Sequence, residues 1–492
     1  MAGSPLAHTR ENGALAGGIL ADAQTSVSAS PPQALGFFTA CLRQACVGSA
    51  AKGENLAALV RNWQDQRLPG SGQWVRRLLC QQWRSATTGV AAESSRGLPV
   101  GGPELLTAGL SDPSRRQLVW WLGICSAWVA SLVVIGGVTR LTRSGLSMTE
   151  WKFSGERPPM SARDWGLAFD LYRMSPEWER VNRSISLEEF KFIYWVEYMH
   201  RMWGRMLGLV FAGPAVYFLS RGMITPLMGR RLGLLFLMGG TQGLVGWWMV
   251  RSGLQEPEDP HAVPRVSPYR LAAHLVSAFG IYALLAWTTM TTAAPTPALS
   301  SASLALRQGG ARLRGWLIPL SCLVGVTATS GAFVAGMDAG HAFNTWPTMN
   351  GQWVPDDYFA IDGPRNFFEN TAAVQFNHRL LAYTTVVATL LMVVASRRLA
   401  LTPTARRLAT AAAVVAVGQA SLGVVTLLTH VPVALGSAHQ VGALSLFTVL
   451  LGLLHHVRSP ELSAAGAMAA RYGSPAAAGC VLLGAALVTQ MK

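Results

Sequence analysis

Glu197-Tyr198-Met199-His200-Arg201-Met202-Trp203-Gly204-Arg205 sets a carboxylate and an imidazole three residues apart where an apolar stretch begins. On a helix, residues i and i+3 share a face. A second copy reads Gln375-Phe376-Asn377-His378-Arg379, with an amide in place of the acid. The likeness implies a duplicated scaffold, and the single difference implies that its two copies do different work.

Working outward, the 492-residue chain is 50% hydrophobic and only 13% charged. Several uncharged runs of about 20 residues are long enough to cross a hydrocarbon core of roughly 30 Å as helix. Eight spans are expected, near 117–139, 202–220, 232–250, 271–290, 313–337, 380–396, 408–428 and 433–456. A further apolar patch, 475–489, is short for a span and is assigned to the tail. The formal charge of +15 raises the question of nucleic acid, but Lys and Arg sit mostly in short connections rather than on one amphipathic face. Membrane topology accounts for them, and nucleic acid is excluded as a partner. The six cysteines form no CxxC, no CxxCH and no zinc-ligand spacing.

Residues 1–112 are rich in Ala, Gly and Ser with a modest Arg bias, which reads as an organelle-targeting leader or disordered extension. Connections bearing Arg115/Arg116, Arg221/Arg229/Arg230, Arg307/Arg312/Arg314, Arg397/Arg398/Arg406/Arg407 and Arg458/Arg471 alternate with mixed or acidic ones. The positive-inside rule puts the basic set, and both termini, on the cytoplasm-like side, which is the matrix if the leader is mitochondrial.

The spans repeat. Gly136 to Gly145 corresponds to Gly331 to Gly340, and Gln242 to Gly246 corresponds to Gln419 to Gly423. Four spans plus four give each half the same orientation. The expected fold is an all-α polytopic membrane protein of eight transmembrane helices. They form two tandem four-helix bundles, 113–290 and 313–457, related by a pseudo-two-fold along the membrane normal, with a tail over 458–492.

Four of the ten histidines occupy matched places: His200 and His274 in the first half, His378 and His439 in the second. Each is expected within about two turns of the start of an even-numbered helix, so all four lie at similar depth on the side opposite the basic connections. Ionisable groups at such depth usually mark a functional site. Two imidazoles on facing helices of one bundle can grip haem iron from both sides, and no acid or thiolate cluster favours zinc. The pairing expected is His200 with His274 and His378 with His439. Glu197 stands one turn before His200, whereas Gln375 stands before His378. A carboxylate can exchange a proton and an amide cannot. The first half is therefore expected to transform a substrate, with Glu197 catalytic, and the second to hold a resident redox cofactor. Arg140, Arg143, Arg201, Arg205, Arg251, Arg270 and Arg379 lie at the same level, where guanidinium groups suit propionates.

These stretches, together with Ser267-Pro268-Tyr269-Arg270-Leu271-Ala272-Ala273-His274, Asn344-Thr345-Trp346-Pro347, Asn366 to Asn370 and His439-Gln440-Val441-Gly442-Ala443, resemble the haem A synthase family, mitochondrial type, from about residue 117 to 457. The resemblance implies conversion of haem O to haem A, one ring methyl becoming formyl through successive hydroxylations and loss of water. It implies that His200 and His274 flank haem O beside Glu197, and that His378 and His439 ligate a haem b. It places the protein in the mitochondrial inner membrane with its haem sites toward the intermembrane space. A ferredoxin-type electron donor, haem O synthase, oxidase assembly factors and a second copy of the chain are the candidate partners. The cysteine pair of some bacterial members has no counterpart between Ser144 and Lys191. The rival readings are a di-haem electron carrier and a haem transporter, neither of which would make formyl haem.

Overall fold

The computed structural model describes residues 106–458, except 153 and 257–262. The leader expected over 1–112 and the tail expected over 458–492 lie almost wholly outside the described residues. Among the described residues eight helices are long and apolar enough to cross a membrane. They are α1 (Asp112–Leu141), α2 (Leu187–Ser220), α3 (Pro226–Gly253), α4 (Pro268–Ala293), α5 (Leu304–Gly336), α6 (Thr371–Ser396), α7 (Pro403–Leu428) and α8 (Val433–His456). Among the described residues there is no strand, only an isolated bridge between Met349 and Gln352. The all-helical, eight-span class read from the sequence holds.

Local chemistry sets the helix starts. Thr225 before Pro226 and Thr402 before Pro403 open α3 and α7 alike. The threonine hydroxyl caps the amide of the third helical residue, and proline fills a position whose N–H needs no partner. Ser186 and Glu189 form a reciprocal capping box that starts α2 well before its apolar run. His200 therefore lies thirteen residues after Leu187 and not within two turns of the helix start. The polar first turns of α2, with Glu188, Glu189 and Lys191, explain why hydropathy alone missed them.

In the first half α1 packs on α2 and α4, α3 packs on α4, and α2 touches α3 only lightly. In the second half α5 packs on α6 and α8, α6 on α7, and α7 on α8. The halves meet through α1 with α8, α4 with α5, and α4 with α8. Leu284, Leu285, Leu317, Phe447, Leu450 and Leu451 lie in the same central cluster, all nearly inaccessible. Tyr282 and Thr448 bond at 2.8 Å between α4 and α8.

At the two inter-half seams, size is exchanged. Leu141 of α1 presses on Gly436 of α8, where a Cβ would meet its Cδ1 at 2.8 Å. At the matched seam the glycine is on α5: a Cβ on Gly336 would meet Pro268 at 3.0 Å and Leu271 at 3.3 Å. The repeat equates Leu141 with Gly336 and Leu271 with Gly436.

Between α1 and α2, short helices Ala162–Arg173 and Pro176–Arg180 cover a small core of Met148, Phe169, Tyr172, Phe190 and Tyr194. Between α5 and α6 the chain makes 3-10 turns at Ala339–His341 and Asp356–Phe359 and a helical turn at Asn366–Glu369. Both segments lie on the face where α2, α4, α6 and α8 begin.

Candidate functional site

Each of the four matched histidines rests on a glycine of the preceding helix. A Cβ on Gly136 would lie 3.1 Å from His200 Cε1, on Gly246 3.0 Å from His274, on Gly331 3.1 Å from His378 and on Gly423 2.7 Å from His439. Absence of a side chain is what lets the Cε1 edge of each imidazole approach the neighbouring backbone. The sequence correspondence equates Gly136 with Gly331 and Gly246 with Gly423, so the same kind of seat occurs at matched positions. The motif glycines were visible in the sequence; their role as seats appears only once the helices are packed.

His378 and His439 are brought together, ring centroids 6.5 Å apart and planes at 83°. A metal about 2 Å from each of two imidazole nitrogens requires centroids roughly 6 Å apart, and the separation of His378 and His439 is compatible with that requirement. His274 lies within electrostatic range of His200. Among the described residues no three His, Cys, Asp or Glu side chains gather as a metal cluster. The donor set is thus paired imidazoles, which suits a metal already held by a macrocycle.

The imidazoles differ in what holds their second nitrogen. Ser330 Oγ lies 2.7 Å from His378 Nδ1, and also donates to the Thr327 carbonyl at 2.7 Å. Gln242 Nε2 lies 3.1 Å from His274 Nδ1 and donates to the His274 carbonyl at 2.8 Å. Gln419 Nε2 donates to the His439 carbonyl at 2.7 Å and lies 3.4 Å from that ring's Nε2. His200 Nδ1 is buried without a hydrogen-bond partner. The repeat explains the difference, because the place of Ser330 is taken in the first half by Ile135, which has nothing to offer. Ser330 was not picked out from the sequence; comparison of 330 with 135 was the available signal.

Glu197 is 2% exposed, and its hydrogen-bond partners are Arg201 one turn along α2 and two residues of the segment after α1. Arg201 donates to Oε1 at 2.6 Å, while the Ser147 hydroxyl at 2.7 Å and the Met148 amide at 2.8 Å donate to Oε2. Gln375, equally buried, turns the same geometry round. Its Nε2 donates to the carbonyls of Ala339 at 2.7 Å and Phe343 at 3.2 Å, and Arg379 donates to its Oε1 at 3.1 Å. Acid and amide thus bolt matched segments onto matched helices, the acid where donors face it and the amide where carbonyls do.

Of the arginines expected near propionates, Arg201 and Arg379 are spent on these bolts, and Arg140 and Arg143 on Asp338. Arg205 reaches the Lys152 carbonyl at 2.6 Å. Arg251 and Arg270 lie over Trp247 and Trp248, 5.5 and 4.4 Å from the ring centroids. Near Glu197, burial pushes the Glu177 carboxyl up to about 7 despite a bond from the Tyr172 hydroxyl at 3.1 Å.

An all-helical scaffold with eight helices long and apolar enough to cross a membrane among the described residues defines a polytopic membrane protein. The chain belongs to the COX15-CtaA family, described as cytochrome oxidase assembly protein, whose model matches residues 119–451. It is 51% identical over 380 residues to the heme A synthase COX15 of Arabidopsis thaliana, covering 77% of this chain and 81% of that one. It is 41% identical to the heme A synthase COX15 of Homo sapiens, covering 78% and 91%. To the heme A synthase of Paracoccus denitrificans it is 42% identical, covering 74% and 92%. No solved structure matches the chain.

Proposed function

We propose that this protein is a haem A synthase, an oxidoreductase that converts the ring methyl of haem O to a formyl group in a mitochondrial membrane. Relatives of that name at 41–51% identity over most of the chain support the activity. The observation that carries the site is the matched set of four histidines, each on its own glycine, with one pair at a separation compatible with a single iron.

In this reading the halves are tandem four-helix bundles, 113–290 and 313–457, related by a pseudo-two-fold. His200 and His274 flank haem O, and His378 and His439 hold haem b. A haem held there supplies one-electron redox chemistry. The Ser330 contact orients His378 on the side assigned to the resident group, and in each assigned pair one imidazole has a partner on Nδ1 while the other, His200 or His439, has a buried Nδ1 without one. Gly136 and Gly246 let the substrate ligands approach α1 and α3 closely. Glu197 is the acid/base residue, fixed by Arg201, Ser147 and Met148 within one turn of His200. The haem sites face the intermembrane space of the inner membrane, both termini lie in the matrix, and a ferredoxin-type carrier supplies electrons. Haem O synthase, assembly factors or a second copy are further partners.

The test is extraction of pigment from cells making the protein together with haem O. Formyl haem is the expected product; unchanged haem O with bound protein would leave a carrier or transporter.

A further inference from the structure

The segment joining α5 to α6 carries an exposed aromatic surface that neither the helices nor a proposed ligand occupies. Trp353 is 74% exposed, Phe359 76% and Phe367 46%. These side chains lie outside the spans, on the face where α6 and α8 begin. Large apolar side chains exposed in number on one segment outside the spans point to an interaction site.

The patch is ordered and fastened to the site. Asn370 Nδ2 donates to the carbonyls of Asp357 at 2.7 Å and Tyr358 at 3.1 Å, and Asn366 Nδ2 to that of Tyr358 at 2.7 Å. The Tyr358 hydroxyl bonds Asn377 Oδ1 at 2.9 Å, and Asn377 immediately precedes His378. The aromatic surface is thus one hydrogen bond and one peptide bond from the ligand assigned to the resident haem.

Its charge says what covers it. Within 337–370, Asp338 is matched by Arg140, and Glu369 by Arg365. Asp356, Asp357 and Asp362 stand among the exposed aromatics, and no cation pairs with them among the described residues. The matched segment over the first half, 144–186, has six basic and six acidic residues and is neutral. The segment 337–370 is therefore the more acidic of the two long connections on this face, with five acids against Arg365, and it lies over the half assigned to electron transfer. A membrane surface of anionic lipid would be repelled by it, and so would an acidic carrier.

We propose that this surface docks a soluble, basic, one-electron redox protein from the compartment on this side of the membrane. The proposal rests on the assignment of a resident haem to His378 and His439. A haem held there would pass one electron per encounter to the partner's metal, the haem iron being oxidised and the partner's metal reduced, with no bond made or broken, while the ferredoxin-type donor would act at another surface. Aromatic side chains supply contact area, and the acids steer the approach.

The test measures binding of a basic c-type cytochrome, with an acidic plant-type ferredoxin alongside, to the purified full-length protein in nanodiscs. The basic cytochrome is expected to bind and to lose about tenfold in affinity between low and near-physiological salt. The triple variant Asp356→Asn, Asp357→Asn, Asp362→Asn is expected to bind about tenfold more weakly, and Phe359→Ala similarly, with pigment content and thermal unfolding unchanged. Equal binding by wild type and triple variant overturns the proposal, as does ferredoxin binding as tightly as the cytochrome. Quenching of Trp353 fluorescence by spin-labelled lipid also overturns it, because the aromatics would then belong to the bilayer. Charge-dependent binding by protein that lacks bound haem upholds the docking surface while sinking the haem assignment, so the two fail separately.

Discussion

Arg143 and Asp338 hold the same place in the two halves, share a φ of 54°, and touch each other, Nη2 to Oδ2 at 3.5 Å. Equivalent positions that meet one another do so only near the axis relating them, which supports the two-fold arrangement proposed above. Identical residues there would set like charges or like bulk against each other. Divergence to Arg and Asp converts that conflict into an ion pair, strengthened by Arg140 at 2.9 Å from the same carboxylate.

Asp338→Asn keeps a residue that tolerates the left-handed backbone while removing the charge. With the pair partly solvated, the expected loss is about 1 kcal/mol. Thermal unfolding in detergent measures it, and an unchanged midpoint would mean that the pair is decorative.

The glycine seats separate the two halves experimentally. Gly423→Ala and Gly331→Ala push a methyl into His439 and His378 and should lower the haem b recovered per polypeptide. Gly136→Ala and Gly246→Ala should leave that pigment in place and weaken haem O binding. Gly423, with its Cβ contact at 2.7 Å, should be the most severe. Haemochrome assays and haem O titration provide the readouts.

Ser330→Ala removes the oxygen beside His378 Nδ1. Losing such an orienting partner costs roughly 10- to 100-fold in metal affinity. Faster loss of haem b on gel filtration is expected, and Ile135→Ser should do the reverse for haem O at His200.

Glu197→Gln should abolish formyl haem while leaving the haem b spectrum intact. Ser147→Ala is its control: it deletes one bolt to the same carboxylate, so a loss of activity as deep as that of Glu197→Gln would make Glu197 a segment anchor and not an acid/base group. Product chromatography decides between them.

Glu177 makes the outer segment sensitive to pH. Its folded-state value near 7 exceeds the ordinary carboxyl value of 4.5, because burial disfavours the anion. The folded state therefore holds the proton more tightly. Its contribution is complete below about 4.5 and is lost as pH rises to about 7. Protease resistance of residues 144–186 should fall over that window in the wild type, and Glu177→Gln should flatten the fall.

Spans, repeat and the four histidines were legible because uncharged runs and matched motifs are one-dimensional signals. The early start of α2 was not, since Ser186 and Glu189 begin a helix whose first turns are polar. Nor was the work of Arg201 and Arg379, which looked like anion partners but hold backbone carbonyls of segments distant in sequence. Ser330 against Ile135 was in plain view, yet means nothing until α5 is laid beside His378.

The exchanged leucine and glycine at the seams give the duplicated scaffold a handed lock. Two copies of the first half, docked face to face, would drive Leu141 against Leu271; two copies of the second would leave Gly336 opposite Gly436 with a hole between. Only unlike halves close. Severed halves should therefore find each other rather than themselves.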